Sequence, residues 1–227
     1  APSAGTNKWQ YTITGSLRTF FNITDPNETI LKIAILFRNG NGSKAQRNSD
    51  GGDMYVPVYN NNLSVRIDQP PFQPKYIPVA EPQNWIVGTN FSVTANANKL
   101  SNMKLYHNGN LIASQNNVQT ISGNSTVTAI GNQQLVAEAN DGTTIRYDTM
   151  NIFVSPASSP IAALPSGVKD GINYEAGDTS VTLVVRAPGK NKATVIGDFN
   201  NWVQTTGYIM NKTPDGKFFW LRVHPLT

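Results

Sequence analysis

The chain has 227 residues, 39% of them apolar and 14% charged, and it contains no cysteine. These figures exclude thiolate chemistry, Cys-ligated metal and a disulfide framework, and they argue against disorder driven by like-charge repulsion. The net charge of +4 is spread thinly, densest at Lys190 and Lys192, so the basic stripe of a nucleic-acid binder is missing and no nucleic-acid partner is expected.

Uncharged polarity takes the place of charge. The 27 Asn, 15 Ser and 21 Thr favour turns, caps and strand faces over helix interiors, which predicts an all-β chain. At the start, Trp9, Tyr11 and Ile13 alternate with Gln10 and Thr12 and would line one strand face. Residues 30–37 put Leu31, Ile33, Ile35 and Phe37 on one face and Ala34 and Leu36 on the other, the pattern of a central strand buried on both sides. A Gly-rich loop over 38–52 follows, then short strands over 54–59 and 63–67. In the loop, Asn39, Asn41, Ser43 and Asp50 have calcium-loop spacing, but Lys44 holds the sharp-turn Gly position and no Glu closes the site. It reads as a plain loop.

Pro70, Pro71, Pro74, Pro78 and Pro82 keep the next segment extended and mark a domain boundary. Over 83–154, Phe91, Val93 and Ala95 alternate with Ser92 and Thr94, and Asn108-Gly109 joins 105–107 to 111–113 in a two-residue hairpin. Asp141-Gly142 reads as a second hairpin of the same kind. Such spacing predicts a sandwich of the immunoglobulin type. A Pro- and Ser-rich linker over 155–167 precedes three more strand candidates at 180–186, 193–196 and 217–223. The expectation is a series of tandem β-sandwich domains, 1–68, 69–155 and 156–227, the outer two incomplete.

Chemistry is sparse. His107 reads as a solvated neighbour of its turn, and His224 lies on another domain, so neither a metal site nor a base is built locally. Asp50, Asp141, Asp178 and Asp215 sit beside Gly or Pro as turn formers, and no phosphate cradle, Gly-x-Ser-x-Gly or His-Glu-x-x-His occurs. No catalytic residue, metal or cofactor is expected on this chain. The longest apolar run, 33–37, is far short of the roughly 20 residues that span a bilayer. What remains is Gly197-Asp198-Phe199-Asn200-Asn201-Trp202, a flat ring beside side-chain amides at a strand end, the combination that a sugar's C–H face and hydroxyls require. The alternative is that Phe199 and Trp202 fold under the loop as core.

That hexapeptide, with Asp170-Gly171-Ile172-Asn173-Tyr174 and the run from Val181 to Pro188 upstream, resembles the family 48 carbohydrate-binding module that precedes the catalytic barrel of family 13 glycoside hydrolases, α-amylase-like and branching enzymes among them. In glycogen-binding members the Trp of this motif stacks on glucose, which implies that role for Trp202, with Asn201 as a hydroxyl partner. In other members the module is a spacer. Residues 32–42 and 53–56 are similar to part of the starch-binding modules of the family 25 and 26 type, which implies Trp9 and Tyr55, or Tyr59, as stacking rings. The resemblance implies a non-catalytic accessory region of a bacterial enzyme that is secreted, periplasmic or at the cell surface. Its partners would be an α-glucan, starch or glycogen, and a downstream catalytic domain. The competing reading is a structural, adhesion-type immunoglobulin-like protein. The exposure of Trp202 discriminates: a ring buried on both faces favours that reading, an exposed face favours sugar.

Overall fold

The computed structural model describes residues 3–5, 8–48, 51–59, 62–75, 79–80, 83–175, 177 and 180–224. Asp50, Pro78, Pro82 and Asp178, singled out above, lie outside them. The chain divides into two compact units, Ala1–Asn60 and Asn61–Thr227, and it is all-β apart from short helical turns.

The first unit holds β1 (Ser3–Gly5), β2 (Lys8–Trp9), α1 (Leu17–Phe20), β3 (Lys32–Ile35), β4 (Phe37–Arg38), β5 (Ala45–Gln46) and β6 (Met54–Pro57). These pair as three two-stranded ribbons, β1 with β2, β3 with β6 and β4 with β5. The short helix exists because the Ser16 hydroxyl accepts the Thr19 N–H at 3.1 Å and satisfies one of its orphan donors. Two expectations are corrected. The strand at Trp9 stops there, leaving Tyr11 in irregular backbone. The 30–37 run is not buried on both sides: among the described residues β3 pairs only with β6, and Leu31 and Leu36 are exposed. An apolar run is buried twice only when sheets cover both its faces, and no described residue of this unit from 10 to 59 is buried.

The second unit carries the core. It begins with β7 (Val65–Gln69), β8 (Phe72–Gln73) and β9 (Val79–Ala80), then β10 (Asn90–His107), β11 (Asn110–Thr126), β12 (Gly131–Asn140) and β13 (Ile145–Val154). The order is β11-β10-β12-β13, with β7 also on β10. The first half of β10 pairs with β7 through residues 94–97. Its second half pairs with β12 through 102–107. Between them the register with β11 shifts, and Asn117 takes a positive φ of 55°. The hairpin therefore bends and folds back on itself: a Cβ at Gly123 would lie 2.9 Å from that of Ala113. Alternation then fills one interior from both halves, with Ile67, Val93, Ala95 and Ile121 joined by Met103, Leu105, Leu135 and Met150. Val65–Gln69 overlaps the last strand read in the first segment and is hydrogen-bonded into this sandwich.

Both hairpins form. Asn108 and Gly109 take φ of 48° and 79°, the mirror-image turn expected of the pair. The β12–β13 turn differs: only Gly142 has positive φ, and the Asp141 carboxylate accepts the backbone N–H of Thr143 and Thr144, making an Asx-type turn. His107 is not solvated. It is buried, its Nδ1 is 2.7 Å from the Ser125 hydroxyl and its Nε2 3.0 Å from Gln133 Oε1. Phe91 meets its ring edge-on and stacks in turn on Trp85.

The C-terminal part adds β14 (Gly171–Tyr174), β15 (Val181–Arg186), β16 (Asn211–Lys212) and β17 (Phe218–Val223), in the order β14-β15-β17-β16. Residues 193–196 are not a strand; a single bridge, Thr194 to Ile209, ties them down. Part of the expected linker is also structure. Ile161 bridges Lys212 in parallel, Lys212 N–H donates to Pro160 O at 2.7 Å, and the Trp220 indole donates to Ala162 O at 3.2 Å.

Candidate carbohydrate-binding loop

The hexapeptide folds into a clipped turn. Val195 N–H donates to Tyr208 O, and Met210 N–H to Ala193 O, both at 2.9 Å, so the segment leaves and rejoins the domain at fixed points. Asn200 closes the loop: its Oδ1 accepts Gly197 N–H at 2.9 Å and its Nδ2 donates to Val195 O at 3.1 Å. Asp198–Asn200 forms one turn of 3-10 helix. Asn201 and Trp202 follow at φ of 52° and 58°, and Trp202 N–H donates back to Gly197 O at 2.9 Å. Asn visits this region readily, but for a bulky side chain it is costly.

The loop separates its two aromatics. Phe199 is half-buried, 5.3 Å centroid to centroid from Tyr208, and its ring lies over Gly197. Trp202 points away and is 63% exposed. Its indole N–H is held by Asp198 Oδ1 at 2.6 Å, which fixes the ring while leaving it uncovered. Asn201 beside it is exposed as well. A fixed exposed indole next to a free amide can stack on a C–H face and bond a hydroxyl. Asp198 and Asn200 are the supports that sequence reading passed over, and the i, i+4 spacing of Asp198 and Trp202 was the available signal.

A groove of about 390 Å³ is lined by Ile172, Leu183, Val185, Thr194, Ile196 and other nonpolar neighbours. Its wall is apolar, without the amides a sugar needs. The remaining expected rings belong to the other unit. Tyr55 is half-buried on β6, paired with Ala34, and Tyr59 is exposed. The Trp9 backbone pairs with Ser3, and its side chain lies outside what the structure describes. There the structure instead groups rings that sequence reading did not join: Tyr11 lies 6.0 Å from Phe20, and Phe20 4.9 Å from Phe21, all three exposed. The adjacent Phe pair was their signal. Among the described residues no His, Asp and Glu gather into a metal-binding group, and no helix is long and apolar enough to cross a membrane. Asn39 and Asn41 spend their side-chain oxygens on the N–H groups of Lys44 and Ser43, as an ordinary turn does.

No protein-family model matches the chain, and no curated protein matches it. Solved structures with a similar course include fibronectin(III)-like modules of Clostridium thermocellum CbhA, at 20% identity and a TM-score of 0.30 over 41% of this chain and 99% of that one. A β-glucuronidase of Bacteroides uniformis aligns at 11% identity and 0.32 over 73% of this chain, which spans 22% of the enzyme's length. Titin Ig tandem domains align at 12% and 0.27 over 63% of this chain and 76% of theirs. Superpositions this loose carry nothing about function; the immunoglobulin-like class is written in the sheets themselves.

Proposed function

We propose that the chain is a non-catalytic accessory region of an exported enzyme acting on α-glucans, starch or glycogen, of the family 13 glycoside hydrolase kind. Of the three domains read from the sequence, 1–68, 69–155 and 156–227, the first gives up β7 to the middle sandwich, which serves as a spacer toward a separate catalytic domain. The loop at 197–202 is the sugar contact, Trp202 stacking on a glucose ring and Asn201 reaching a hydroxyl. The observation that carries the reading is the 63% exposure of an indole whose edge is already tied to Asp198. A ring meant for packing would be turned inward, and backbone strain at a bulky residue concentrates where a side chain must be displayed. Trp9 and Tyr55 are the proposed contacts of the first unit. The resemblance of the hexapeptide to family 48 modules supplies the substrate class.

Electrophoresis in gels containing starch or glycogen tests this. The chain is expected to be retarded by at least one polymer, and Trp202→Ala to weaken retardation about tenfold, the ~1.4 kcal/mol a stacked ring contributes. Asn201→Ala is expected to weaken it less, and Trp9→Ala to lower what remains. Unchanged mobility with both polymers would reject the reading in favour of a structural, adhesion-type sandwich.

A further inference from the structure

The sandwich leaves one long strand edge without a guard. Among the described residues β11 is hydrogen-bonded to β10 alone, and from Asn110 to Thr126 it has neither a charged residue nor a proline. The other edges of this unit are blunted in the usual ways. β7 carries Arg66 and Asp68 and runs into Pro70, β13 carries Arg146 and Asp148, and β14 and β16 are four and two residues long.

Hydrogen-bond parity tells which groups face outward. Val127 N–H donates to Thr89 O on the β10 side, and the register from Asn90↔Thr126 to Asn96↔Thr120 is continuous. On the far side of β10, Asn98 N–H donates to Ser64 O, so its even-numbered residues point toward β7. Both facts give the same answer: Ile121, Gly123 and Ser125 bond to β10. Thr120, Ser122, Asn124 and Thr126 present their N–H and C=O groups to the open edge, and no described residue takes them up.

We infer that this edge pairs with the same edge of a second copy of the chain, antiparallel about a two-fold axis at Gly123. Every outward group from Thr120 to Thr126 then finds a partner. Ser122 faces Asn124 of the second copy as a hydrogen-bonded pair, and Thr120 faces Thr126. The exposed side chains match too, because the same chemistry already lies across β10 and β11. Ser92 Oγ donates to Asn124 Oδ1 at 2.7 Å, Thr94 and Ser122 hydroxyls meet at 3.0 Å, and Thr126 Oγ1 donates to Asn90 Oδ1 at 2.6 Å. The two-fold pairing sets uncharged polar residues against one another, so no like charges meet across it. Gly123, small because of Ala113, leaves the axis clear. The pairing buries less than the roughly 1,200 Å² of a standard interface, so the dimer is weak and exchanging.

Sedimentation of the whole chain up to about 0.5 mM, a range that populates weak pairs, tests this. The mass is expected to climb toward twice the 24.7 kDa chain, and to do so equally at low and high salt, since no charge takes part. S122K/N124K sets lysines opposite each other and should remain monomeric. T120K/T126K charges the same ladder at its ends and should do likewise, so one misfolded variant does not decide the matter. Thr149→Lys, exposed on β13, should associate as the parent does. A parent that stays monomeric throughout overturns the inference, as it would if the edge received an extended segment of another protein. So does association that survives both lysine pairs or dissolves in salt.

Discussion

Gly197 is small for a reason that has nothing to do with its dihedrals. Its φ of −176° is extended backbone open to any residue, but a Cβ there would lie 2.5 Å from Phe199 Cε1 and 2.9 Å from Cζ. Gly197→Ala must therefore push the Phe199 ring off the loop, at about 1–3 kcal/mol, measured by urea unfolding. Retardation on glucan gels should fall with it, because the displaced ring supports the turn that displays Trp202. Locally, the hexapeptide was legible: ring and amides were visible in the letters, and the resemblance pointed to Trp202 as the displayed ring, although residue types alone did not separate it from Phe199. His107 was illegible by the same local logic. Its partners Ser125 and Gln133 stand 18 and 26 residues away, and only the folding of β11 and β12 onto β10 brings them to the imidazole.

The β10–β11 hairpin is where packing is concentrated. Leu105 is fully buried and Leu111, across the turn, is 56% exposed. Leu105→Ala is expected to cost about 2–5 kcal/mol through lost burial and the cavity left behind, and Leu111→Ala to stay within about 0.5 kcal/mol. Thermal melts of the two variants side by side check this. The turn of this element could be read from Asn108-Gly109; its length could not. Asn98, Lys99 and Leu100 are exposed in succession, so alternation breaks as it does at a strand end, while the backbone runs on through a bend. The converse error was made at 30–37, where an apolar pattern promised a second covering sheet that β3 and β6 do not have. Pattern reports which faces prefer burial, and the partner strands decide whether they get it.

Over the whole molecule the all-β class followed from composition, and the acids now set its pH response. The Arg222 guanidinium, seconded by the hydroxyls of Thr182 and Ser180, holds the Glu175 carboxyl below its ordinary value of 4.5. The Thr143 hydroxyl and the N–H groups of Thr143 and Thr144 do the same for Asp141, and the Thr213 hydroxyl and the Lys217 N–H for Asp215, both below 3.8. A carboxyl more acidic in the fold than in the open chain stabilises fully above its ordinary value and stops doing so as pH falls through the lowered one. Melting temperature should thus be level from neutrality to about pH 5 and decline below it. Glu175→Gln should melt lower than the parent at neutral pH, with the difference closing as acid is added. The wiring of the sandwich also orders its assembly. β10 with β11 and β12 with β13 close on short turns and join ends that are never far apart, whereas β7 must return to β10 across the proline-rich stretch. Loop closure favours the two hairpins as the early contacts, ahead of the longer closures that dock β7 and β12 on β10 and seal the interior.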